Sequence, residues 1–280
     1  MTGFYWLASY PKSGNTWLRL ALHTLTEPRR PLDDLAQARF APNASRRNDV
    51  EDALDVETSD FTPSELRAFR PAAYRMLAAE AREPLFRKVH DAWTEVAPGV
   101  ALFPPEITLG TLLIVRDPRD VAVSWAHFAS VPLDEAVSIL CDPGAVLGTR
   151  QDRVAVTLPQ TILCWSGHAR SWLEAPGRPT CLIRYEDMLQ DPAEALRRVA
   201  TYAGIPHDEA DIHRTIEATC FDNLRHLEAK HGFDGGQSRG TPFFRAGKSG
   251  TWRDTLTSKQ ADQLRHAHGD MMRQLGYADA

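Results

Sequence analysis

The 280-residue sequence is poor in cysteine, has no long apolar run and carries no strong excess of one charge. Its four cysteines, Cys141, Cys164, Cys181 and Cys220, stand far apart with no C-x-x-C pair. That excludes zinc-ligand spacing and a disulfide framework, and reduced, mostly buried thiols are expected. No window reaches transmembrane length, and the N-terminus Met1-Thr2-Gly3-Phe4-Tyr5-Trp6 has no basic stretch leading into an apolar one. A soluble cytoplasmic protein with no membrane role is expected. Lys and Arg number 32 against 37 Asp and Glu, a formal net charge of -5. No nucleic-acid footprint is spread over such a surface, so any anion site must be a local gathering of cations. There is no internal repeat. With 43% hydrophobic residues the chain can bury one sizeable core, and a single domain over 1–280 with loop insertions is expected.

Against that even background, the first thirty residues stand out. Phe4-Tyr5-Trp6-Leu7-Ala8-Ser9-Tyr10 suits a buried strand, Pro11 and Gly14 punctuate it, and Trp17, Leu18, Leu20, Ala21, Leu22 and Leu25 fit a mostly buried helix. Backbone N–H groups at a new helix N-terminus have no intrahelical acceptor, so small residues there leave room for a phosphate or sulfate. Lys12, Ser13 and Thr16 add a cation and two hydroxyls. The Walker A pattern is missing, because Lys12 precedes its glycine and the glycine spacing is absent. A standard ATP or GTP site is disfavoured.

Downstream, residues 26–60 read as a polar, proline-containing irregular insertion. Thr62-Pro63-Ser64-Glu65 has the form of a capping box before a helix over about 63–80, with a break before Pro71. Leu85–His90 reads as a short strand ending in a histidine. Thr111–Val115 reads as a strand buried on both faces. It ends at Arg116, and Asp117-Pro118-Arg119-Asp120 opens a helix from Val121 to about Phe128. Residues 141–160 are loop-like, and Thr161–Leu173 suits an amphipathic helix carrying Trp165, His168 and Trp172. A strand at Thr180–Tyr185, a helix opened at Asp191 and closed by Gly204, a helix near 208–230, a glycine-rich loop over 231–250 and a helix over about 257–275 complete the chain. Strands each followed by a helix predict an α/β fold, a doubly wound parallel sheet with a P-loop-like strand-loop-helix and ligands at the strand carboxyl ends.

Three separated pieces place cations and hydroxyls near strand ends or loops: Lys12 with Ser13 and Thr16, Arg116 with Ser124, and Arg245 with Lys248. Two anionic groups on one ligand would explain all three. Taken singly, Arg116 also fits a surface ion pair with Asp117 or Asp120, and Ser124 a small residue at a helix contact.

Together the pieces resemble the cytosolic-type, PAPS-dependent sulfotransferase family, in particular bacterial-like small-molecule sulfotransferases. Tyr10-Pro11-Lys12-Ser13-Gly14-Asn15-Thr16-Trp17 is similar to that family's 5'-phosphosulfate loop, and Val115–Ser124 to its 3'-phosphate segment. Arg184-Tyr185-Glu186-Asp187-Met188 resembles its tyrosine-containing strand end, and Arg245–Trp252 its C-terminal phosphate loop. The resemblance implies 3'-phosphoadenosine 5'-phosphosulfate (PAPS) as donor and PAP as the product nucleotide. It implies that Lys12 contacts the bridging oxygen while Ser13, Gly14, Asn15 and Thr16 hold the 5'-phosphate. Trp17, aided by Tyr185, Thr219 and Phe221, would meet adenine. Arg116, Ser124, Arg245 and the Gly247 backbone would bind the 3'-phosphate. His90 matches the catalytic histidine, with Lys88 beside it.

The chemistry asks for the same residue types. Sulfuryl transfer needs an in-line acceptor oxygen, a base for its proton, and positive charge at the leaving phosphate. An imidazole titrates near neutrality and suits His90; a lysine suits Lys12. The transferred group carries less charge than a phosphoryl group, so no metal is expected. Ala246 stands where the family has a basic residue, which leaves Lys248 as the candidate substitute. Arg253–Ser258 with Asp262 only partly resembles the family's dimer motif, so a homodimer stays open. The expected acceptor is a small molecule offering a hydroxyl, or less readily an amine, in a pocket shaped by 28–60, 141–160 and 231–244. The alternatives are a P-loop-type kinase using ATP and a non-catalytic nucleotide-binding protein.

Overall fold

The computed structural model of the chain describes residues 2–35, 38, 40–148, 155–177, 179–233 and 242–277. Phe4, Trp6, Leu7 and Ala8 are fully buried in strand β1 (Phe4–Ser9). The Trp6 indole donates to Thr108 Oγ1 at 2.9 Å, so its polar edge is satisfied inside the core. The chain forms two compact units, one of residues 1–10, 41–113 and 142–182, the other of 11–40, 114–141 and 183–280.

In the first unit, β1 pairs in parallel with β2 (Leu85–Val89), Phe4 opposite Leu85 and Ala8 opposite Val89. Helices α2 (Arg47–Leu54) and α3 (Pro63–Glu80) pack on each other. The predicted capping box is present, with Glu65 N donating to Thr62 Oγ1 and Thr62 N to Glu65 Oε2. A small antiparallel pair, β3 (Glu95–Ala97) and β4 (Val100–Ala101), precedes β5 (Thr108–Val115). The sheet is parallel, in the order β2-β1-β5 followed by a strand at Thr180–Arg184. Its order therefore reverses between β1 and β5, the place where open α/β sheets take their ligands.

In the second unit, α1 (Asn15–Thr26) follows the loop after β1. Helix α4 (Pro118–Ala129) packs on α5 (Leu133–Cys141). Asp117 caps α4 as expected, accepting from Arg119 N at 2.9 Å. Returning to the first unit, β6 (Val146–Leu147) pairs with β7 (Gln160–Thr161), and α6 (Trp165–Leu173) leads to β8 (Thr180–Arg184). The second unit then closes with α7 (Tyr185–Gln190), α8 (Pro192–Ala203), α9 (Glu209–Thr219), α10 (Phe221–His231) and α11 (Ser258–Gln274).

Several expectations are corrected. The insertion at 26–60 contains α2. Helix α3 runs through Pro71 unbroken; Arg70, before it, is anchored to Tyr74 and Asp91 by side-chain hydrogen bonds. The helix expected from Thr161 starts at Trp165, because Gln160 and Thr161 pair with β6 and Leu163 adopts φ 57. The single helix expected near 208–230 is two, broken at Cys220 with ψ 150. There the Trp17 indole takes the Thr219 carbonyl at 2.8 Å and Asn223 Nδ2 takes that of Ala218 at 2.6 Å, side chains standing in for the next helical turn. All four cysteines are free, but only Cys181 is buried, and Cys220 is exposed. Of the expected loops, 149–154 and 234–241, including Gly235 and Gly236, lie outside the described residues.

Candidate active site

The loop between β1 and α1 turns on two left-handed residues, Lys12 at φ 70 and Gly14 at φ 102. A side chain at Gly14 would press on the Tyr185 ring, with a Cβ 2.6 Å from Cδ2, so only glycine fits there. Ser13 is fully buried, and its hydroxyl has no hydrogen-bond partner among the described residues. A buried hydroxyl without a partner calls for one, and water, an ion or a ligand would serve. Lysine tolerates the left-handed region poorly, which marks Lys12 as a backbone-strained position held by its surroundings.

From the end of β5, Arg116 Nη1 donates to the Lys12 carbonyl at 3.3 Å and Nη2 to the Lys248 carbonyl at 3.0 Å. Its guanidinium lies 4.4 Å from the centre of the Tyr185 ring. One arginine thus ties the first loop to the C-terminal loop. Buried Asp120 holds that second loop, accepting from Gly250 N at 2.6 Å, Thr251 Oγ1 at 2.9 Å and Trp252 N at 3.1 Å. Gly247, at φ 60, has the Phe221 ring where a Cβ would stand.

The Lys12 ammonium sits between two phenyl rings, 4.2 Å from the centre of Phe128 and 4.1 Å from that of Phe243. Burial, with nearby Arg116, lowers its pKa to about 8 against the opposing pull of Glu228. Glu228 also accepts from the backbone N–H groups of Phe243 and Phe244, at 2.6 and 3.0 Å, which fastens this wall. Lys12, Ser124, His127, Phe128, Pro242, Phe243 and Arg245 line one recess. It sets two cationic side chains against aromatic walls.

In the first unit, half-buried His90 follows β2. Its Nδ1 is 2.8 Å from the Ser9 carbonyl. A carbonyl can only accept, so in the neutral ring the proton sits on Nδ1 and the lone pair on Nε2. His168 lies beneath. It is fully buried, edge-on to Tyr10, and its ring bonds to the main chain of His90 and Asp91. Its Nε2 has no hydrogen-bond partner among the described residues, and burial drives its pKa down to about 3.

A family model described as the sulfotransferase domain matches residues 4–276. The chain belongs to the sulfotransferase family. It is 25% identical over 280 residues to cytosolic sulfotransferase 16 of Arabidopsis thaliana, covering 92% of this chain and 72% of that one. It is 24% identical to flavonol 3-sulfotransferase of Flaveria bidentis, over 92% of this chain and 78% of the other. Mouse sulfotransferase SULT7A1 complexed with PAP shares the fold at a TM-score of 0.63 and 18% identity, over 99% of this chain and 89% of that chain. Retinol dehydratase, in complex with androsterone and the inactive cofactor PAP, shares it at 0.64 and 20%, over 96% and 80%.

In this sulfotransferase, Lys12, Ser124 and Arg245 meet at one recess, and Arg116 and Tyr185 meet beside Gly14. Trp17 and Phe221 pack on a common apolar cluster of the second unit. Asn15 is buried at the start of α1, with Thr16 following it. The Thr219 side chain is spent inside α9, donating to the Thr215 carbonyl at 2.7 Å, and its own carbonyl receives Trp17. The exposed Lys248 offers Arg116 its carbonyl. Lys88 lies in β2, on the same side of the chain as His90 two residues on. Sequence reasoning missed Phe128, Phe243, His127, Glu228 and Asp120. Only Asp120 carried a signal, an acid in the first turn of α4. Among the described residues, no group of three His, Cys, Asp or Glu is gathered as for a metal ion, and no helix is long and apolar enough to cross a membrane.

Proposed function

We propose that this sulfotransferase moves a sulfuryl group from 3'-phosphoadenosine 5'-phosphosulfate to a hydroxyl, and less readily an amine, of a small cytoplasmic molecule. The observation that carries the reading is the recess where Lys12, Ser124 and Arg245 converge, together with the buried hydroxyl of Ser13, next to Lys12 in the loop, which has no hydrogen-bond partner among the described residues. It offers two cations and two hydroxyls to a ligand with two anionic ends. Ser13, Gly14, Asn15 and Thr16 would take the 5'-phosphate, and Arg116, Ser124, Arg245 and the Gly247 backbone the 3'-phosphate. Trp17, Tyr185, Thr219 and Phe221 surround the adenine in this reading, with Lys248 contributing charge at the loop. The neighbour structures titled as complexes with PAP favour this donor. A relative named for flavonols and a neighbour bound to androsterone favour a compact hydroxyl-bearing acceptor.

In the transfer step the acceptor's O–H proton passes to Nε2 of His90, and its oxygen forms the new S–O bond. The bond from sulfur to the phosphate oxygen breaks, and its electron pair leaves on that oxygen, where Lys12 meets the growing charge. Lys88, on the same side as His90, adds positive potential. The test is a mass-spectrometric assay with the phosphosulfate donor, no added metal, and a panel of phenols, alcohols, amines and saccharides, run beside ATP with magnesium. A sulfated product is expected, most of all from hydroxyl acceptors. Phosphoryl transfer from ATP, or tight nucleotide binding with no product across the panel, would overturn the reading.

A further inference from the structure

We infer that Arg70 and Asp91 form a positioning pair that fixes His90 and the two segments expected to wall the acceptor pocket, and so governs acceptor use. This deepens the reading of His90 as the base and rests on it.

Arg70 and Asp91 are wholly buried in the first unit. Arg70 Nη1 donates to Asp91 Oδ1 at 3.1 Å, and Nη2 to Oδ2 at 2.7 Å and to Ser45 Oγ at 2.8 Å. Its Nε donates to the Tyr74 hydroxyl at 3.0 Å, which itself donates to the Ala44 carbonyl at 3.0 Å. Asp91 also accepts from Ser45 Oγ at 3.0 Å and from Thr161 N at 3.1 Å, while its carbonyl takes the Trp172 indole at 3.0 Å. Ala92 N donates to the Thr161 carbonyl at 2.7 Å. One guanidinium thus joins three stretches distant in sequence: Ala44–Ser45 from the 28–60 insertion, His90–Ala92, and Thr161 at the end of the 141–160 loop.

A buried ion pair is a weak source of stability, since apolar residues of similar volume often serve as well. What it supplies is geometry. The planar five-donor fork admits one arrangement of its acceptors, and Asp91 is bonded directly to the residue that carries the base. Burial keeps both residues from solvent, so they act through His90 and the walls. The donor-binding groups Lys12, Arg116 and Arg245 belong to the other unit, which makes nucleotide affinity an internal control.

Arg70→Lys keeps the charge and removes the fork. With the transfer assay, a folded variant is expected to lose at least about tenfold in kcat/KM for the acceptor, with a changed ranking among acceptors and a shifted pH profile. Its Kd for the product nucleotide should stay within about twofold, since the donor groups are untouched. Unchanged acceptor kinetics and pH profile in that variant overturn the inference. If Arg70→Lys does not fold, Ser45→Ala decides: it deletes one hydroxyl and leaves both charges paired. A change of about threefold or more in acceptor kcat or KM at constant nucleotide Kd supports the pair's role, and no change overturns it. Full activity in His90→Ala would sink the base assignment itself. Loss of activity there, beside an unaltered Arg70 or Ser45 variant, would sink only the positioning pair.

Discussion

In the proposed reading the two units solve different problems with the same few residue types. In the second, Lys12, Arg116 and Arg245 stand in loops and at a strand end, and recognition is assembled from short consecutive motifs. In the first, Arg70, Asp91 and His168 are fully buried, and His90, next to Asp91, is partly exposed. Donor recognition can be written in contiguous sequence because an anion needs only loop amides and a few cations. In the proposed reading, acceptor chemistry turns on where one imidazole points, and that orientation rests on packing among segments far apart in the chain.

The sharpest way to break this comparison is to remove one group from each side. His90→Ala is expected to lower turnover about 10²–10⁴-fold, the range for deleting a general base, with nucleotide affinity unchanged. A His90→Ala protein with undiminished turnover on a good acceptor would remove histidine from the mechanism. Arg116→Ala is expected to weaken nucleotide binding by roughly 1.5–3 kcal/mol, as for a lost charge-assisted hydrogen bond, with smaller effect on turnover at saturating donor. Because Arg116 also holds the Lys12 and Lys248 carbonyls, a thermal melt should accompany the measurement. Equal donor affinity in this variant would refute the placement of the 3'-phosphate.

A smaller effect sharpens the donor side alone. With its pKa near 8, Lys12 loses its ammonium form as pH rises through that value, so nucleotide affinity should fall above it. A polyanion restores the charge, so binding at pH 8 should take up about half a proton at this site. Calorimetry in buffers of different ionisation enthalpy reads this directly. Glu228 and Arg116 are the other charges acting on Lys12; His127, whose pKa is lowered by burial and Arg245, is neutral at that pH. Lys12→Met should abolish the uptake, and uptake that survives the substitution assigns it to another group.

Much of this was legible in the sequence. The strand ending at Arg116 and the helix opened by Asp117 and Pro118 follow from local rules, an apolar β-rich run and an N-cap with proline behind it, and both formed as read. The same rules found the Thr62 and Glu65 cap. They failed where tertiary partners override local preference, as at Cys220, where side chains from outside the helix take the last carbonyls, and at Leu163, whose positive φ no composition reveals. The aromatic clamp on Lys12 was hidden because its members, Phe128 and Phe243, are far from the lysine and from each other in the chain. Asp91 follows a strand with no motif around it; its pairing with Arg70, from within α3, is what sets it apart.

The ammonium held between Phe128 and Phe243 also fixes when water is removed. A solvated lysine would shed its hydration shell each time an anion arrived. Here part of that dehydration is completed as the chain folds, so an arriving anion would meet a charge already shed of some of its water.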